Sequence, residues 1–315
     1  MREASPACTS PSTSPSPFPL LAAVWARWAA ARLEPRTATW LLTGSALVLA
    51  AASGAALAIL AATLLGQIPL LAIIGHWSAA GMRRRDPTSL ALAIVACLLL
   101  TAALAAAFRT AARRMRALTD AASAARCLPR RGQLTVLDDA APDAYAMPGL
   151  PGKIVVTAGM LEALDHHERQ VLLAHERAHL AGAHCLFTAL ARIAAAANPL
   201  LRPLAGAVGF SVERWADEHA ARVTGDRRLV ARTIAKAALL AQGHADTPTA
   251  ALAMAAGSLR GAGPIPRRVA ALLAAPPRQH PLLLVAMLAV LLLATGSALE
   301  AARDLHGLIQ LAGGP

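Results

Sequence analysis

The sequence predicts an α+β fold that is mostly helical, with a small mixed domain set between helices able to cross a bilayer. Three observations carry this. Hydrophobic residues make up 56% of the 315 and charged residues only 15%, well below the roughly 25% of soluble domains. Aromatic residues are 3%, so the apolar content is mainly Ala and Leu, which suits helices better than strands. The apolar residues are also gathered into long runs without Lys, Arg, Asp or Glu, and about 20 such residues suffice for a span.

Residues 1–39 form a loose, basic N-terminal segment. The first nineteen are rich in Pro and Ser, a composition expected to stay disordered, and they lack the basic-then-apolar order of a signal peptide. WARWAAARLEPRT follows, a short basic amphipathic stretch suited to a membrane surface. Residues 40–82 hold enough charge-free chain for one span or two, with Gly66-Gln67-Ile68-Pro69 as the natural break. Residues 88–108 read as another span, so the segment 40–108 carries two membrane helices, or three. A further run, PLLLVAMLAVLLLATGSAL at 281–299, is the clearest span of all, and residues 300–315 form a short tail.

The formal charge of +12 is almost all arginine. Arg109, Arg113, Arg114, Arg116, Arg126, Arg130 and Arg131 follow directly on an apolar run, which is the positive-inside pattern. Few aromatics are present to stack on bases, so nucleic acid is not the expected partner; a lipid bilayer is. A single crossing by 40–82 puts these arginines on the cytoplasmic side with Arg27, Arg32 and Arg36, leaving only the Arg83-Arg84-Arg85 triplet outside. The expectation is therefore a multi-pass protein of the cell membrane whose middle domain, residues 109–280, is cytoplasmic. Cys8, Cys97, Cys127 and Cys185 are scattered without a C-x-x-C pair, so neither a disulfide framework nor a thiolate metal site is expected.

Within the middle domain, LTVLDD (134–139) and KIVVT (153–157) have strand composition between Asp, Pro and Gly turn residues. Most of the rest reads as helix. The stretch 184–210 is apolar but broken by Arg192, Pro199, Arg202 and Pro203, which favours a packed helical hairpin over a membrane-dipping element.

One motif stands out: His175-Glu176-Arg177-Ala178-His179, an H-E-x-x-H. Asp165 with Glu168 three residues on makes a capping box, Val171, Leu172 and Ala178 supply an apolar face, and Gly182 ends the helix. On such a helix His175 and His179 stand one turn apart on one face, as two ligands of a single zinc must. Glu176 lies beside them as a general base.

The third ligand has two candidates. His184 follows at a spacing of five, but the metzincin pattern wants its last histidine at 185, where Cys185 stands. The stronger candidate lies in SVERWADEHAARVTG, read as a helix capped by Ser211 and ended by Gly225. There Glu213 and Asp217 share a face. Glu213 completes a His₂Glu set of the thermolysin type, and Asp217 serves as an outer carboxylate holding a ligand histidine in its metal-binding tautomer.

AHERAHLAGAH followed by ERWADEHAA resembles the membrane zinc peptidases of the BlaR/MecR type, and more distantly HtpX and the CAAX-prenyl proteases. AYAMPGLPGKIVVTAGMLEAL is similar to that family's turn and edge strand, and PIPRRVAALL to a segment carrying an arginine. The resemblance covers about residues 134–275. It implies a gluzincin-like domain with one Zn2+ per chain, a protein or peptide substrate, and KIVVT as an edge strand beside the metal. Departures are visible too. Gly263-Pro264 stands where relatives often carry His-Pro, which leaves Arg267, Arg268 or zinc alone to stabilise the oxyanion. No penicillin-binding sensor domain follows the last apolar run, so a β-lactam-sensing role is not expected. The function expected is a membrane metalloendopeptidase; the alternative is a non-catalytic zinc-binding regulatory module.

Overall fold

The computed structural model describes residues 18–66, 90–127, 132–149, 152–242 and 265–276, with single positions at 281, 285, 289, 292 and 296. The expected C-terminal span therefore lies, apart from those five positions, outside the described residues. So do the far end of the 40–82 run, the Arg83-Arg84-Arg85 triplet and Gly263-Pro264.

Two long helices dominate one side: α2 (Pro35–Gly66) and α3 (Leu90–Cys127). Among the described residues these are the helices long and apolar enough to cross a membrane, over Pro35–Ala62 and Leu90–Ala124. They pack on each other and leave Leu92, Leu98, Leu104 and Phe108 exposed. The α3 helix runs unbroken through the boundary expected near residue 108. At about 1.5 Å per residue it is roughly 57 Å long, nearly twice the ~30 Å hydrocarbon core of a bilayer. Its distal part carries Arg109, Arg113, Arg114 and Arg116 and ends on the sheet, where Ala121 is buried with Tyr145, Met147 and Val155.

The Pro- and Ser-rich start expected to be disordered lies, up to residue 17, outside the described residues. Helix α1 (Phe18–Arg32) places Ala26, Ala29 and Ala30, with Leu33 just beyond its end, in the largest apolar cluster, together with Val208, Phe210 and Val212. Small side chains at that spacing let two helices approach closely. The Arg214 guanidinium caps the far end of α1, donating from Nη1 to the carbonyls of Ala30 at 2.6 Å and Ala31 at 3.3 Å.

The sheet has three strands: β1 (Leu134–Leu137), β2 (Ala144–Met147) and β3 (Lys153–Thr157), in the order β1-β3-β2. β1 is parallel to β3, and β2 antiparallel. KIVVT is thus the central strand and not the expected edge. Five consecutive buried residues are the mark of a strand covered on both faces and paired on both sides. The edge beside the helices belongs to β2. Asp143 and Thr157 pair across the β2–β3 boundary, so by alternation the backbone groups of Ala144 and Ala146 face outward.

Thr157 caps the short α4 (Ala158–Ala163). Then α5 (His166–Ala181) opens with the expected capping box, Asp165 accepting from the Glu168 N–H while Glu168 accepts from that of Asp165, and closes at Gly182. Helix α6 (His184–Ala197) leaves α5 at 60°. A 3-10 turn (Pro199–Leu201) connects it to α7 (Arg202–Thr224). Ser211 does not cap this helix; it lies buried in its middle. The two prolines expected to interrupt the stretch sit in the first turns of the 3-10 turn and of α7, where a missing N–H costs nothing. Gly225 ends α7 in the left-handed region at φ +73, the conformation a Cβ disfavours.

The α6–α7 hairpin packs along α2, and its tip reaches Ser53, to whose Oγ Asn198 donates at 3.2 Å. Helix α8 (Arg227–Gln242) and α9 (Ile265–Leu273) close the far side, joined through a cluster of Val171, Ala220, Val230, Ile234 and Leu272.

Candidate metal centre

Three helices bring the expected side chains together. From α5, His175 and His179 lie with their Nε2 atoms 3.1 Å apart. From α7, Glu213 spans both, one oxygen 3.7 Å from each Nε2. One ligand atom from each of the three lies within 4.8 Å of the others. Behind them Asp217 sits one turn along α7, its Oδ1 3.0 Å from His175 Nδ1.

Part of the site's negative charge is met by a residue from the third helix. Arg268 on α9 donates from Nε and Nη2 to the two oxygens of Asp217 at 2.8 and 2.6 Å, and its Nη1 lies 3.0 Å from Glu213. The fork geometry of a guanidinium suits such a paired contact. Arg268 therefore engages the carboxylates themselves. Its neighbour Arg267 is directed elsewhere, its guanidinium 4.6 Å over the Phe210 ring. The sequence pointed to these two arginines as groups for an oxyanion; what it missed is the tie of Arg268 to Glu213 and Asp217, for which α9 must fold back across 51 residues.

Glu176 is buried beside His175. Burial pushes its carboxyl up to about 7, and the backbone N–H of Ala146 on β2 donates to it. The two histidines differ. Burial lowers His179 to about 4. Burial also opposes charge on His175, but Asp217 and Glu213 on its two ring nitrogens raise it to about 10. Glu213 is held well below the usual carboxylate range: burial acts against this, and Arg268 and the histidines outweigh it.

His184, set aside as a ligand by its spacing, lies close to the centre all the same. Its Nδ1 is 3.0 Å from His179 Nδ1, on the side of that ring away from Glu213. The signal was present in the sequence as a histidine five positions on, after a glycine. His166 and His167 face each other at the far end of α5.

The donor set fits a divalent metal. Two imidazole nitrogens and a carboxylate converge, a combination that zinc takes in catalytic sites that keep a position open. Glu176, Glu213 and Asp217 face one guanidinium, so the pocket carries more negative than positive charge when the carboxyls are ionised and accommodates a dication.

Against known proteins, the model of Peptidase family M48 matches residues 107–198. The matched region takes in the end of α3, the sheet, α5 with its H-E-x-x-H, and α6; it stops before Glu213, Asp217 and Arg268. The match supports a metallopeptidase function. No curated protein and no solved structure matches the chain.

Proposed function

We propose that this chain is a membrane-bound zinc metalloendopeptidase, with His175, His179 and Glu213 as metal ligands and Glu176 as general base. The observation that carries the reading is the convergence of those three ligands beside a buried carboxylate of raised pKa. A zinc ion held there supplies Lewis-acid polarisation of a carbonyl and activation of water.

The chain's own groups account for the rest. Glu176 accepts a proton from the attacking water as the new C–O bond forms. It then gives that proton to the amine nitrogen as the C–N bond breaks, so no other proton donor is needed. Asp217 orients the His175 ring from behind, and Arg268 holds both carboxylates of α7 in place. The outward carbonyls of Ala144 and Ala146 on β2 offer an extended peptide acceptors to pair with, while the N–H groups of these two residues donate to Asp143 and Glu176. The substrate is accordingly an extended protein or peptide segment.

Two candidate spans and the exposed leucines of α3 support residence in the membrane. With one crossing each, the start of α2 and the end of α3 lie on one side. Arg27, Arg32 and Arg36 then share the cytoplasmic face with Arg109 to Arg116 and the metal centre. Purified, detergent-solubilised protein tests the reading through zinc content and hydrolysis of casein. Glu176→Gln is expected to keep one zinc and lose about 10²- to 10⁴-fold in turnover, while His175→Ala loses both. Equal turnover in Glu176→Gln and wild type would sink it.

A further inference from the structure

His184 is the buried group near the centre that the proposed reaction does not use. It is 1% exposed, and its ring rests on Trp215 at 4.5 Å between centroids. Nδ1 meets His179 Nδ1 at 3.0 Å. Its other nitrogen, Nε2, is buried with no hydrogen-bond partner among the described residues.

Packing alone does not explain a histidine here. Leaving a buried donor or acceptor unpaired costs on the order of 1–3 kcal/mol, and a phenylalanine would fill the space beside Trp215 without that cost. The surrounding backbone also makes room for this ring at some expense. Ala183, between the two helices, has φ +48, a left-handed conformation that costs a residue with a Cβ roughly 1–2 kcal/mol. Gly182 leaves the space the ring occupies: a Cβ there would stand 2.3 Å from His184 Nε2. Both irregularities lie in the bend that turns α6 back by 60° and brings His184 over its predecessor. Departures from local rules of this kind gather at functional positions.

We propose that His184 is a positioning residue for the metal ligand His179. The proposal rests on the metal site described above. For His179 Nε2 to hold a metal its lone pair must be free, so its proton sits on Nδ1. That N–H donates to His184 Nδ1, which fixes both the tautomer and the rotation of the His179 ring. His184 then carries its own proton on Nε2, the buried atom without a partner. His179 and His175 are thus each held from behind, one by a neutral imidazole and the other by the carboxylate of Asp217.

Zinc affinity of the full-length, detergent-solubilised protein, measured by competition with a chelator of known affinity, tests this. His184→Phe keeps a ring against Trp215 but has no acceptor; it is expected to lose about 10- to 100-fold in affinity. His184→Asn offers an oxygen acceptor close to where Nδ1 stood and is expected to restore most of that loss. Gly182→Ala suits its backbone, whose φ is −86, yet displaces the His184 ring, and is expected to behave like His184→Phe. Melting temperature without zinc serves as the control for folding. Wild-type affinity in His184→Phe overturns the proposal while leaving the metal site standing. Equal losses in His184→Phe and His184→Asn overturn it too, since packing alone is then at stake. Absence of zinc binding in wild type overturns the metal site and this proposal together.

Discussion

Helices α5 and α7 both supply the candidate centre, but they are held in place differently. The histidines of α5 stand on a helix whose start is set locally, by the reciprocal Asp165–Glu168 cap. The carboxylates of α7 stand on a helix whose first turns are fixed by burial against α1 and α2, and their charge is met by Arg268 from far along the chain. A locally specified helix is legible and robust. One specified by tertiary contact is neither, and its side chains are only as ordered as their distant partners.

Removal of the distant partner separates the two helices most strongly. Arg268→Gln leaves Glu213 and Asp217 buried without their cation, and breaking a buried ion pair from one side costs about 3–5 kcal/mol. Denaturant unfolding is expected to show that loss in zinc-free protein and a smaller one with zinc bound, because the metal takes over part of the countercharge. An equal loss in both forms would mean that Arg268 and the ion do not share the carboxylates.

A smaller effect separates the helices at the level of the metal. Asp217→Ala removes the group behind His175 and one partner of Arg268. Zinc affinity is expected to fall about 10- to 100-fold with the helices still formed by circular dichroism. Unchanged affinity would show that His175 needs no orienting carboxylate.

The smallest effect concerns the helix starts. Asp165→Ala is expected to cost about 1 kcal/mol in thermal unfolding, by the same amount with and without zinc. Ser211→Ala, at the position that looked like the start of α7, is expected to be near neutral, because it removes a buried hydroxyl that has no partner among the described residues. A loss of about 1 kcal/mol at Ser211 would restore its reading as a cap.

These contrasts explain what the sequence revealed and what it hid. The α5 helix was legible residue by residue, since its cap, apolar face and terminating Gly182 all lie within one short segment. Glu213 and Asp217 were legible as a pair because their spacing is helical, although the helix around them was drawn too short. The prolines 199 and 203 look like breaks in a sequence; in space they begin the next elements. β2 was hidden because Ala-Tyr-Ala-Met is weak in strand propensity and forms through its pairing with β3. The same missing strand made KIVVT look like an edge. The link between Arg268 and α7, and that between Arg214 and α1, were invisible because no local pattern encodes a contact across 51 or 184 residues.

The Arg214 contact bears on how the protein is made. The residue beside Glu213 grips the end of α1, yet the two are synthesised 184 residues apart. At about 5–20 residues per second the α1 carbonyls wait on the order of ten seconds or more for their guanidinium. During that interval the small-residue face of α1 has no α7 to pack on. The helix that carries Glu213 settles only when the first and third quarters of the chain meet, so the candidate centre is among the last parts of the molecule to be completed.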